Sequence, residues 1–134
     1  MFGLDLRQMI GGKKTVLIIN SDENINSILS IRLKNAGFDV MSAAGPEQAY
    51  DCLKRRTPKL VLIDNPAKAS AECFRFVEWI RSDKRFKKVP IFLLMQESEK
   101  DSVERALNIG ASDYIVKPFN PGVLVEKIKK ATGR

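Results

Sequence analysis

Short, uninterrupted apolar runs alternate with amphipathic stretches along almost the whole chain, and that alternation predicts the architecture. Residues 16–19, 60–63 and 91–95 read Val-Leu-Ile-Ile, Leu-Val-Leu-Ile and Ile-Phe-Leu-Leu-Met. Runs of this length with no polar alternation fit strands covered on both faces, as in parallel sheets. Residues 38–41 and 114–116 are weaker runs that fit a second and a fifth strand. Between the runs, apolar residues recur at helical spacing. Ile25, Ile28, Leu29, Leu33 and Ala36 form a first stripe, stopped by Gly37, and Ala49 and Leu53 form a second behind Pro46. Phe74, Val77 and Ile80 mark a third helix, and Val103, Ala106 and Leu107 a fourth, ended by Gly110. Asn120-Pro121 reads as a cap and a first-turn proline for a fifth, carrying Leu124 and Ile128. Right-handed crossovers joining five such units predict a doubly wound α/β domain.

In an open parallel sheet, side chains at the C-terminal ends of the strands converge on one crevice. Asp64 directly follows the 60–63 run and Lys117 the 114–116 run, whereas the matching position after 16–19 holds the uncharged pair Asn20 and Ser21. A carboxylate at that rim serves as a nucleophile or a metal ligand; the plainer reading is a solvated strand-end aspartate. The Lys117-Pro118 bond is a candidate cis peptide, which would point the ammonium into the same crevice.

Composition narrows the chemistry. The 134 residues fit one domain. No apolar stretch approaches the roughly 20 residues that span a bilayer, and the N-terminus lacks signal-peptide character, so a cytoplasmic protein is expected. The chain has no histidine, which excludes a histidine triad and imidazole ligands; any phosphohistidine would come from a partner. Cys52 and Cys73 fall in helical segments at a spacing that fits neither a disulfide framework nor a zinc site, and read as small buried hydrophobes. The net charge of +7 is concentrated in 54–56, 81–88 and 127–134. These are predicted helix C-termini, where cations favour the dipole and stay solvated, so a nucleic-acid footprint is the weaker reading. Residues 1–13 stand apart as an N-terminal extension, with Gly11-Gly12 as a hinge; they read as a frayed tail or as a short docking segment.

A nucleotide or flavin site would need a glycine- or hydroxyl-rich phosphate cradle after the first strand, where this chain places Asp22 and Glu23. Gly11-Gly12-Lys13-Lys14-Thr15 precedes a strand and has Arg7 where a phosphate loop carries a glycine, so it is discounted.

Gly110-Ala111-Ser112-Asp113-Tyr114-Ile115-Val116-Lys117-Pro118-Phe119 resembles the terminal signature of two-component response-regulator receiver domains. Pro58-Lys59-Leu60-Val61-Leu62-Ile63-Asp64 is similar to their phospho-acceptor strand, and Val89-Pro90-Ile91 to the start of their fourth strand. The resemblance covers residues 14 to 131 and implies a flavodoxin-like, five-stranded parallel sheet of order 2-1-3-4-5 flanked by five helices. It implies a receiver-like domain over 14–134. It assigns Asp64 the phospho-acceptor position, Lys117 the phosphate-pairing lysine and Tyr114 the switch aromatic. It also implies a divalent ion held by an acidic pair after the first strand.

Here the acidic pair aligns with Asn20 and Ser21. Magnesium is a hard cation bound through carboxylates and water, and the two replacements take the local formal charge from about −2 to about zero. Asp22 and Glu23 lie just downstream as possible substitute ligands. The switch hydroxyl aligns with Met95, whose thioether donates no hydrogen bond to a phosphate. The segment 65–70 lacks the family's usual Pro-x-x-Asp-Gly turn.

The leading expectation is therefore a degenerate receiver, a pseudo-receiver that is not an enzyme and signals by protein–protein interaction. It would need no cofactor and would dock through its fourth helix, fifth strand and fifth helix, including Val103, Asn108, Tyr114 and residues 127–130. The alternative is a working phospho-acceptor that binds Mg2+ and is phosphorylated on Asp64 by a histidine kinase. Nucleic-acid binding through basic helix ends is the third reading.

Overall fold

The computed structural model of the chain describes residues 14–64, 71–96 and 100–133. Residues 1–13, the segment 65–70 and the side chain of Val103 lie outside the described residues. The elements run in the order β1 (Thr15–Ile19), α1 (Glu23–Asn35), β2 (Asp39–Ala43), α2 (Pro46–Arg55), β3 (Leu60–Asp64) and α3 (Ala71–Ser82). A 3-10 turn (Lys84–Phe86) leads to β4 (Ile91–Gln96), α4 (Lys100–Asn108), β5 (Asp113–Lys117) and α5 (Pro121–Thr132). The strands form one sheet of order β2-β1-β3-β4-β5, with every neighbouring pair parallel.

The period-2 geometry of the central strands sorts their side chains between two apolar layers. Leu17, Ile19, Val61, Ile63, Leu93 and Met95 pack with residues of α2, α3 and α4, among them Leu53, Phe76, Val77, Ile80 and Ala106. Val16, Ile18, Leu60, Leu62, Phe92 and Leu94 pack with Leu29 and Leu33 of α1 and with Leu124, Val125 and Ile128 of α5. Sequence-adjacent strand residues thus serve opposite cores, which is why these runs carry no polar alternation.

Helix ends follow their local chemistry. The Asn120 side chain accepts from the amides of Gly122 and Val123, and Pro121 occupies the first turn of α5. Asn120→Ala is expected to destabilise the protein by about 1 kcal/mol, read as a lowered thermal midpoint. At the end of α1, Gly37 has φ 96°, its amide bonds to Lys34 O, and the Phe38 amide bonds to Leu33 O. This double closure is a Schellman cap.

That cap corrects the expected second strand. Phe38 belongs to the helix exit, and β2 begins one residue later and reaches Ala43. Two residues of the expected stripes face solvent instead of the core: Ile28 is 51% and Leu107 40% exposed. Each follows or precedes a buried neighbour, Leu29 and Ala106, and one residue turns a helix by about 100°.

Arg81 departs from the expectation of a solvated basic cluster. Its Nε donates to Gly110 O at 2.8 Å, and its Nη1 donates to Phe86 O at 3.0 Å and Val89 O at 2.7 Å. The guanidinium thereby pins the end of α3 to the turn entering β4 and to the turn entering β5. Burial lowers its pKa from the ordinary arginine range.

Candidate functional site: the crevice at the C-terminal strand ends

Asp64 ends β3 and Lys117 ends β5, with β4 between them: Asp64 is in register with Leu94, and Lys117 with Gln96. Lys117 Nζ reaches across this gap and donates to Asp64 Oδ1 as an ion pair. The Lys117 side chain is 24% exposed and the Asp64 side chain 7%, so the contact is largely withdrawn from water. The Lys117–Pro118 peptide is cis.

Asn20 leaves the end of β1 and is 7% exposed. Its amide is tied to Ala43 O at 2.9 Å, extending the β1–β2 ladder by one rung. Its Oδ1 accepts the Asp22 N–H at 3.2 Å, and its main-chain oxygen accepts from Asn26 Nδ2 at 2.8 Å. These contacts orient the carboxamide, and the buried Nδ2 is left without a hydrogen-bond partner among the described residues. Ser21, beside it, is exposed.

The two downstream acids are placed elsewhere. Asp22 is the N-cap of α1: its Oδ1 accepts from Asn24 N at 2.9 Å and Ile25 N at 3.2 Å. A carboxylate so placed satisfies amides that the first helical turn leaves open. Glu23 lines a groove between α1 and the end of β2, with Ser27, Lys34 and Gln48, rather than the cavity beside Asp64. Among the described residues, no cluster of three or more Asp, Glu, Cys or His side chains is arranged to hold a metal ion.

Met95 is fully buried, on the same face of β4 as Ile91 and Leu93. Tyr114 lies on β5 in register with Leu93 and is 37% exposed. Cys52 and Cys73 are both buried and outside any disulfide.

A cavity of about 200 Å3 adjoins the crevice, and its lining includes Asn20, Ser21, Asp64, Gly45 and Glu72. Glu72, in the first turn of α3, is a carboxylate that sequence reasoning missed. An acid in a first helical turn is ordinarily read as a dipole contact, and only the fold brings it to the lining of the cavity that also includes Asp64.

The basic helix ends are partly engaged. Lys127 bridges Asp113 at 3.1 Å, Lys129 approaches Glu126 at 3.4 Å, and Lys14 Nζ donates to Thr132 O. Among the described residues, no helix is long and apolar enough to cross a membrane.

Residues 16–129 match the response regulator receiver domain family. The chain is 32% identical to the phosphate regulon transcriptional regulatory protein PhoB of Pseudomonas aeruginosa, over 94% of this chain and 54% of that protein. It thus spans about half the length of that relative. It is 33% identical to the chemotaxis protein CheY1 of Helicobacter pylori, over 88% of this chain and 96% of that protein. Among solved structures, the chemotaxis response regulator CheY4 of Vibrio cholerae superposes with a TM-score of 0.79 at 25% identity, covering 89% of this chain and 98% of that one.

Proposed function

Because the chain belongs to the response regulator receiver domain family, we propose that it is a two-component signalling module that works through protein contacts, with magnesium binding and phospho-switching impaired. The observation that carries this reading is Asn20. It is a neutral carboxamide whose oxygen already accepts the Asp22 N–H at 3.2 Å. Magnesium is held chiefly through carboxylates and water, and a neutral amide brings no charge to the crevice. Ser21 brings no charge, Asp22 is engaged as a helix cap, and Asp64 is neutralised by Lys117. The residues present do not fit a magnesium ion.

Met95 supports the second half of the proposal. It sits in the apolar layer with Leu93 and has no hydroxyl to link a phosphate to Tyr114. The docking surface we infer is the face of α4, β5 and α5. Exposed Leu107, Tyr114 and Val123 stand on these three elements, beside the Lys127–Asp113 pair, and Asn108 is exposed as well. A histidine kinase would be an upstream partner only if Asp64 accepts phosphate.

Calorimetry with magnesium chloride and intact-mass analysis after acetyl phosphate treatment test the proposal together. The expected results are no saturable heat in the millimolar range and no phosphate on Asp64. The double change Asn20→Asp, Ser21→Asp is expected to tighten magnesium binding by about tenfold or more, since it restores two carboxylates. Saturable magnesium binding by the unmodified protein, with phosphate added to Asp64, would establish the phospho-acceptor reading instead.

A further inference from the structure

We propose that the end of the sheet opposite the crevice binds double-stranded nucleic acid through its phosphates, on a basic face built by residues 54–59 and 81–88. The inference does not depend on whether Asp64 accepts phosphate, because this face and the crevice lie at opposite ends of the strands.

Taken one segment at a time, the basic runs read as solvated helix ends. The fold collects them. All neighbouring strands are parallel, so each helix-to-strand turn falls at the N-terminal end of the sheet. Residues 54–59, leading from α2 into β3, carry four cations and no acid. Residues 81–88, leading from α3 toward β4, carry five cations and one acid. These two segments are neighbours. Val61 is in register with Ile91 and its amide bonds to Pro90 O at 2.9 Å, so the two strand entries lie about 5 Å apart. The helices leading to them also touch, since the rings of Tyr50 in α2 and Trp79 in α3 have centroids 4.6 Å apart.

Most of this charge is not neutralised within the molecule. Asp83 pairs with Arg85 at 2.9 Å, Asp39 with Arg56 at 3.6 Å and Asp51 with Lys54 at 3.8 Å. Arg55, Lys59, Lys84, Lys87 and Lys88 are exposed and enter no ion pair among the described residues. The C-terminal ends of α2 and α3 bring only roughly half a negative charge each.

The second basic segment is also held in place. Arg81 Nη1 donates to Phe86 O, to Lys87 O at 3.3 Å and to Val89 O. The Phe86 side chain is fully buried, and Asp83 Oδ1 accepts the Arg85 N–H at 2.9 Å. The backbone that carries Lys84, Lys87 and Lys88 is thus fixed before a partner arrives, which lowers the ordering cost of binding.

These features select the partner. Cations on a stiff backbone match a stiff polyanion of high charge density, and a duplex carries one charge per roughly 1.7 Å of its axis. Neither segment exposes a large apolar or aromatic side chain. The face therefore has no wedge for a bilayer and no ring on which to stack an unpaired base. Contacts to phosphates carry no base information, so binding is independent of sequence.

The test is fluorescence anisotropy of the full chain with a labelled, mixed-sequence DNA duplex of about 20 base pairs. Binding is expected at about 50 mM salt, with a loss of roughly a hundredfold by about 200 mM. Lys59→Gln combined with Lys88→Gln takes one cation from each segment. It is expected to weaken binding about tenfold or more and to flatten the salt slope by about 2, while melting at the parent temperature. The matched control is Arg32→Gln with Arg75→Gln, which removes the same net charge elsewhere. Arg32 reaches toward Gly122 at the start of α5, and Arg75 stands exposed in the first half of α3. The control is expected to change affinity by less than about threefold. The proposal is overturned if the duplex does not bind at the lower salt, or if the two double variants weaken it equally. It is also overturned if the single strand, polyglutamate, or vesicles of equimolar phosphatidylcholine and phosphatidylserine bind more tightly than the duplex.

Discussion

Replacing Lys117 with methionine is expected to lower the unfolding free energy by about 3 kcal/mol, read from the urea midpoint at unchanged slope. The side chain of Asp64 is only 7% exposed, so removing the ammonium takes the countercharge from a carboxylate that water reaches poorly. Methionine keeps most of the apolar stem, which separates loss of charge from loss of packing. The estimate sits at the low end of the range for buried pairs because Lys117 itself is 24% exposed. Adding Asp64→Asn to Lys117→Met is expected to recover most of the loss, since the double variant leaves no charge unpaired. An unchanged midpoint for Lys117→Met would show that the pair contributes nothing to the fold. Retention of both residues would then have to be explained by chemistry rather than stability.

The second large effect is expected at Gly110. It lies at φ +125°, and a Cβ there would stand 2.5 Å from Arg81 Cγ. The side chain it would strike cannot easily swing away, because its guanidinium donates to Gly110 O, Phe86 O and Val89 O. Gly110→Ala is expected to destabilise by about 3 kcal/mol, combining the positive-φ penalty with the disturbed hydrogen bonds. In an Arg81→Ala background the clash disappears, and the same glycine change is expected to cost only about 1–2 kcal/mol, the backbone part. Equal effects in the two backgrounds would mean that Arg81 gives way freely.

The frame was legible because it follows from local chemistry. Three continuous apolar runs became β1, β3 and β4. Gly37, Pro46 and the Asn120-Pro121 pair act within a few residues of themselves, so their punctuation survives any tertiary context. Convergence of Asp64 and Lys117 was legible for a related reason: parallel strands align their C-terminal ends, wherever in the chain they come from. Ile28 and Leu107 misled because a stripe identifies a helical face but does not resolve its edges.

What the sequence alone determined is thus the set of elements, their parallel pairing and the identity of the residues at the strand ends. What only the tertiary structure decided is how those residues are engaged. Asp22, a possible metal ligand by position, is a helix cap, and the Asn20 side-chain oxygen accepts from the Asp22 amide. Glu72 joins the crevice from another helix. Arg81, apparently one more solvated cation, binds a carbonyl 29 residues away. The physical reason is common to all four. A hydrogen-bonding group has a small number of partners, and which ones it takes depends on distances between segments that local spacing does not encode.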